Sequence, residues 1–365
     1  MEGTPSFVAG LSGLIIGITI GFAARRAKLC TFAAIEDATI GGDTRRMKVF
    51  AVALAIAILG TQALIAVGLL EPRLTPYVPA AWPWFGALVG GLLFGTGMAL
   101  VGTCAFGSLV RLGGGDLRGL VVLLVFGLVA QATLRGVLSA VRTEFLDRAA
   151  VPLPALPQGD LPSLMALLGL PQARLVTGLA IAVLLLLWAL TDARLRRARR
   201  LLLAGAVVGL CILAGWVATA VLPDPLDTEI RPQSLNFVAP VARAITAGLL
   251  GQGSAADFGM ASALGAVVGA ALAARSIDEF RWEAFDDPRE MRRHLLGAVL
   301  MGFGGVLAGG CTIGQGMTSA SLLALSAPIA IAGMIIGARV GIFVLVEGVT
   351  CKALLGAVRP GARVE

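Results

Sequence analysis

Long apolar runs alternate with short polar connections along the whole chain. Nine of these runs, at 8–25, 48–70, 84–102, 118–139, 173–191, 201–222, 258–275, 294–310 and 328–350, are each near the ~20 residues that an α-helix needs to cross a bilayer. The pattern predicts nine crossings. Five further apolar pieces, at 29–38, 104–112, 161–170, 236–251 and 311–324, are too short to cross and too hydrophobic for ordinary loops, so they are predicted as re-entrant or interfacial helices. The predicted fold class is an all-α polytopic membrane protein of about nine transmembrane helices plus short re-entrant helices, forming a single transmembrane domain.

Composition supports that class and narrows the chemistry. Hydrophobic residues make up 57% of the chain and charged residues 14%, far from the balance of a soluble domain. A single histidine argues against a His-ligated metal site and against imidazole-centred catalysis. Five cysteines in apolar surroundings do not make a secreted disulfide framework. The start, Met1-Glu2-Gly3-Thr4-Pro5-Ser6, lacks a basic segment ahead of the first apolar run, so that run is expected to stay as a span. The net charge of +7 reflects basic loops rather than a nucleic-acid surface.

Those basic residues are arranged by side. With nine crossings, 21 of the 29 lysines and arginines fall in the connections after the odd-numbered spans. They include Arg25, Arg26, Lys28, Arg45, Arg46 and Lys48, the Arg194–Arg200 cluster, Arg289, Arg292 and Arg293, and, after the last span, Lys352, Arg359 and Arg363. The positive-inside rule then puts the N-terminus in the periplasm and the C-terminus in the cytoplasm. The opposite side holds Asp224, Asp227 and Glu229 and a Pro-rich outer loop, 146–172, with Pro152, Pro154, Pro157 and Pro162. That loop separates two pseudo-repeat halves of approximately 1–145 and 173–355.

Two breaks in the apolar pattern match each other. Residues 95–107 laid on 302–314 agree at six of thirteen positions: Gly95/Gly302, Gly97/Gly304, Leu100/Leu307, Gly102/Gly309, Cys104/Cys311 and Gly107/Gly314. Cysteine is scarce here, so the Cys104/Cys311 match carries most of the weight. Span three runs inward to Cys104 and span eight runs outward to Cys311, which makes the motifs an inverted pair. Broken backbone is tolerated at membrane depth only where it faces protein or a wet cavity. Glycine-interrupted segments at corresponding places in two halves mark the central site of small-solute transporters. A third cysteine, Cys30, follows the ladder Gly13, Gly17 and Gly21, whose spacing is that of close helix packing.

The ladder leading through Arg25 to Cys30, the Gly102-Thr103-Cys104-x2-Gly107 break and the Gly309-Gly310-Cys311-x2-Gly314 break together resemble the YeeE/YedE sulfur-transport family of bacterial inner-membrane proteins. The resemblance extends over nearly the whole chain in length, order and spacing. It implies an hourglass-shaped helical protein that takes up thiosulfate, or a related sulfur anion, past cysteines at a constriction. The substrate-binding residues it implies are Cys30, Cys104, Cys311, Gly102, Gly107, Gly310 and Gly314. Cys211 and Cys351 match no family motif and are expected to be packing residues. No cofactor, metal or nucleic acid is expected. No appended sulfur-carrier domain is expected, so a cytosolic TusA-like sulfur carrier, where one is used, is expected as a separate protein.

Physical chemistry makes that expectation intelligible. Stripping water from a dianion is costly unless donors replace the lost hydrogen bonds. A protonated thiol offers a weak S–H bond to a soft sulfur without holding it tightly. The turns after the cysteines begin new short helices, whose N-terminal amides favour an anion. Arg339, mid-span, is a candidate anion attractor or the partner of Glu347. The alternatives are a membrane sulfurtransferase with a nucleophilic cysteine, hampered by His294 as the only imidazole, a selenium-compound transporter, and a soft-metal permease, for which no Cys-x2-Cys or Met cluster exists.

Overall fold

The computed structural model describes residues 4–79, 81–152, 159–169, 172–221, 231–251 and 257–347. The residues Pro154, Pro157, Asp224, Asp227, Glu229, Cys351, Lys352, Arg359 and Arg363 lie outside the described set. The described chain is helical almost throughout, in the order α1 (Thr4–Ala27), α2 (Thr31–Ile40), α3 (Arg45–Ala66), α4 (Trp84–Val101), α5 (Ala105–Gly113), α6 (Leu117–Arg135) and the short α7 (Ser139–Val141). There follow α8 (Leu161–Leu167), α9 (Ala173–Leu190), α10 (Ala193–Arg197), α11 (Arg199–Ala220), α12 (Ala239–Leu250), α13 (Phe258–Ser276), α14 (Pro288–Leu307), a π-helical segment (Gly314–Ser319) and α15 (Ser326–Glu347). A two-stranded ribbon pairs Ala81–Trp82 with Val151–Pro152.

Eight stretches among the described residues are long and apolar enough to cross a bilayer. Two of them, Phe7–Ile40 and Trp84–Gly113, each join a long helix to the short one after it. The protein is a multi-pass membrane protein. The ninth predicted crossing, 294–310, falls in α14. That helix has the length, but Arg289, Glu290, Arg292 and Arg293 occupy its first turns, so only its His294–Leu307 portion is apolar. All five short apolar pieces contain short helical elements: α2, α5, α8, α12 and the π-helical segment.

Many leucines face outward, and glycine and alanine line the closest helix contacts. Leu128, Leu179, Leu184, Leu203, Leu264 and Leu296 are exposed on helix faces, a surface suited to lipid tails. Inside, helices touch through glycine and alanine. A Cβ on Gly13, Gly17 or Gly21 would lie 2.4, 2.2 or 2.2 Å from the carbonyl oxygens of Phe258, Ser262 and Ala266, so the ladder seats α1 along α13 in parallel, as its spacing predicts. A Cβ on Gly90 would lie 2.3 Å from the Ala308 nitrogen, and one on Gly97 2.6 Å from the Gly297 oxygen, which sets α4 antiparallel to α14.

The packing is inverted-repeat packing. The contact of α1 with α13 has its counterpart in α11 with α3, that of α4 with α15 in α14 with α6, and that of α5 with α13 in the π-helical segment with α3. The α12–α6 contact likewise answers α2–α15. Elements α1–α6 thus correspond to α11–α13, α14, the π-helical segment and α15. Helix α9, packed on α3, has no counterpart, and this one additional crossing between two like sets turns the second set upside down.

Connections carrying the basic residues meet on one face. Lys28 Nζ lies 2.9 Å and Arg25 Nη2 3.8 Å from the Glu279 carboxylate, and the Lys28 ammonium holds that carboxyl below its ordinary range. Arg118 binds Asp116, Glu283 and Glu290 together, and Lys48 pairs with Asp192. On the other face the buried carboxylate of Asp160 pairs with Arg174, while the Leu161 amide donates to the Leu323 carbonyl at 2.8 Å.

Candidate transport pathway

The two sequence breaks fold alike. Helix α4 ends at Gly102 with φ +74°, and α14 is followed by Gly309 with φ +76°. Glycine reaches that left-handed region without a Cβ clash, so both chains turn sharply two residues ahead of a cysteine. Cys104 then caps α5: its sulfur accepts the Gly107 amide at 3.3 Å. Cys311 repeats this with the Gly314 amide at 3.4 Å. A sulfur stands where serine or aspartate usually satisfies the third amide of a helix. As a weak acceptor, it leaves its own S–H free to turn elsewhere.

Cys30 joins Cys104 directly. It lies in the connection between α1 and α2, its sulfur 3.4 Å from Thr103 Oγ1 and beside the Cys104 thiol. Cys104 and Cys311 are fully buried, whereas Cys30 is partly exposed. Cys311 is tied to the pair through hydroxyls: Thr31 Oγ1 donates to Thr312 Oγ1 at 2.9 Å, and the Thr31 side chain also reaches Cys104. A thread of thiols and hydroxyls therefore runs from one break to the other. Beside it Phe106, two residues past Cys104, stacks on Phe237 with ring centroids 5.0 Å apart.

On the basic face, a cavity of about 360 Å³ leads to Cys30 and is lined by Arg25, Lys28, Thr103, Gly107 and Arg111, among others. Arg111 Nη2 donates to the Gly102 carbonyl at 2.9 Å, so a guanidinium covers the broken end of α4. On the opposite side, Asn236 and Tyr77 stand beside Cys311. Asn236 Oδ1 accepts the Val238 amide at 3.1 Å, and its carboxamide contacts the Tyr77 hydroxyl. Both Gly310 and Gly314 face Asn236: a Cβ on Gly310 would lie 3.3 Å from Nδ2, and one on Gly314 2.7 Å from Cγ.

The sequence pattern does not single out Thr31, Thr103, Thr312, Asn236 or Tyr77 as site residues. Thr103 and Thr312 adjoin the motif cysteines, and Tyr77 is the sole tyrosine, which are the signals that were available. Arg339 takes no part in this region. It lies exposed on the outer face of α15, and the side chain of its expected partner Glu347 lies outside the described set. His294 Nδ1 is bonded to the Glu290 carbonyl at 2.9 Å, with the ring edge-on to Phe285, and among the described residues no cysteine bonds to it. Cys211 is buried in the α11 packing.

A multi-pass helical membrane protein with paired broken helices around a polar thread belongs to the class of solute transport proteins. The sulphur transport family model matches residues 26–340, so the chain belongs to that family. Among its relatives are the thiosulfate transporter TsuA of Escherichia coli K12, 29% identical over 90% of this chain and 92% of the relative, and that of Spirochaeta thermophila, 28% identical over 89% and 96%. A shorter match, 31% identical, joins 27% of this chain to 23% of the probable transporter YedE of Escherichia coli K12.

Proposed function

We propose that this protein carries thiosulfate, or a closely related sulfur anion, into the cell across the bacterial inner membrane. The observation that carries the reading is the pair of matched cysteine-capped breaks linked through Thr31 and Thr312, in a chain that aligns with two thiosulfate transporters over nearly its whole length. The basic face is taken as cytoplasmic, which leaves the N-terminus in the periplasm and the C-terminus in the cytoplasm. The pseudo-repeat halves are taken as approximately 1–145 and 173–355 about the 146–172 connection, the second beginning with α9 as the extra, inverting crossing.

In this reading the anion enters beside Cys311, Gly310 and Gly314, passes Cys104, Gly102 and Gly107, and leaves past Cys30. Each sulfur keeps its amide or hydroxyl partner while its S–H turns toward the anion's terminal sulfur, so no covalent bond forms or breaks. Weak successive donors favour movement over retention. The glycines leave room for close approach to the backbone amides at the starts of the two short helices. Arg25, Lys28 and Arg111 then draw the anion into the 360 Å³ cavity, where a separate cytosolic TusA-like carrier would collect the sulfur. Purified protein in liposomes is expected to accumulate labelled thiosulfate intact. Recovery of the label only as a protein persulfide or as cleaved products would favour the sulfurtransferase reading, and stronger competition by selenite than by thiosulfate would move the substrate to selenium.

A further inference from the structure

The two mouths of the thread are built on the same backbone plan but present different chemistry. On the basic side, the connection between α1 and α2 brings Cys30 against Gly107, 3.4 Å from where a Cβ on that glycine would sit. In the corresponding connection between α11 and α12, Asn236 stands against Gly314 in the same way. Each residue therefore faces the glycine three positions after the motif cysteine. Each is partly exposed, while Cys104 and Cys311 are sealed. Asn236 thus holds the position opposite Cys311 that Cys30 holds opposite Cys104.

We propose that Asn236 is a substrate-contacting, specificity-determining residue of the outer half of the pathway, donating through its amide nitrogen to the oxygens of the incoming anion. This rests on the transport reading above. Its oxygen is already taken by the Val238 amide at 3.1 Å, which fixes the carboxamide with the nitrogen toward Gly310. An NH₂ group has two hydrogens. The Tyr77 hydroxyl beside it can accept one of them, which leaves the other for a ligand. The division of labour is chemical: a carboxamide suits the hard oxygens of an anion still shedding water, and a thiol suits its soft terminal sulfur once it is dry. Sequence comparison of the halves misses the pairing because Cys and Asn share no side-chain chemistry.

The test is uptake of labelled thiosulfate by liposomes containing the full chain, with Asn236→Asp, Asn236→Ala and Asn236→Ser beside the unsubstituted protein. Asn236→Asp keeps the shape and replaces the donor by a repelling carboxylate, and Asn236→Ser keeps a donor. Expected are losses of about tenfold or more for Asp and about tenfold for Ala, the scale of one hydrogen bond to a charged group, with serine recovering part of the rate and a raised KM in all three. A structural role alone would not rank serine above alanine while chromatographic profiles stay unchanged. Should Asp fail to fold, the Ala and Ser pair decides. Uptake by Asp and Ala within twofold of the unsubstituted protein overturns the inference. If the unsubstituted protein moves no thiosulfate, the transport reading fails and the inference falls with it, a result distinct from selective failure at Asn236.

Discussion

The break at Cys104 and the break at Cys311 share a left-handed glycine, a sulfur cap and a following glycine, yet their surroundings differ. Around Cys104 stand a second thiol, Thr103 and a cavity lined by Arg25, Lys28 and Arg111. Around Cys311 stand a carboxamide and a phenol, and no ion pair touches it among the described residues. Symmetric backbone thus carries asymmetric chemistry. The comparison teaches that the backbone geometry which opens a helix inside lipid is one requirement, met twice by the same residues. What a solute meets there is a second requirement, and each side meets it separately.

The largest expected effect tests whether both breaks lie on one route. Cys104→Ala and Cys311→Ala should each lower thiosulfate uptake by about 100-fold or more, since each leaves a dehydrated anion short of a donor in a low-dielectric passage. Membrane insertion should be unchanged because alanine fits the same space. If only one substitution matters, the two breaks do not act in series.

The next prediction separates backbone from surroundings. Gly102→Ala and Gly309→Ala each force a Cβ into the left-handed region, at a cost of about 1–2 kcal/mol, measurable as a lower Tm in detergent. A Cβ at 309 would also meet Gln315 Nε2 at 2.7 Å, whereas the nearest atom at 102 is Arg111 Nη2 at 3.9 Å. Gly309→Ala should therefore be the more damaging. Equal losses would show that conformation alone sets the cost.

A smaller effect is expected where the breaks join. Thr31→Val removes the donor to Thr312 and should cost about 1 kcal/mol of stability, with slower uptake as the thread is cut. Unchanged uptake would mean that the hydroxyls hold the halves together without touching the anion. The smallest effect belongs to the charged mouth. Lys28→Gln should slow uptake by about twofold or less at low ionic strength, and the difference should vanish in high salt, because exposed charges act by screened attraction. A salt-independent loss would place Lys28 in direct contact with the anion.

Much of this arrangement is legible in the sequence. The apolar runs locate the long helices because each must satisfy its own backbone in lipid, and Gly13, Gly17 and Gly21 lie on α13 as their spacing requires. Cys104 and Cys311 are recognisable as a pair because the same turn needs the same glycine ahead of it. Other assignments are not local. Arg339 looks like an intramembrane anion site, but only the orientation of α15 puts it on the outer face. The charged first turns of α14 are visible in the sequence, while its role as the antiparallel partner of α4 depends on Gly90, Gly97, Gly297 and Gly304 meeting across the interface.

The order of apolar runs and breaks along the chain predicts a helical membrane protein with two inverted, cysteine-bearing interruptions, because bilayer thickness and backbone hydrogen bonding act along a single stretch of chain. Only the tertiary structure decided that Cys30 lies against Cys104, that Thr31 bonds to Thr312, and that Asn236 stands across from Cys311. Those relations join residues as far apart as 281 positions, and they arise from how glycine-faced helices dock, which no local pattern records.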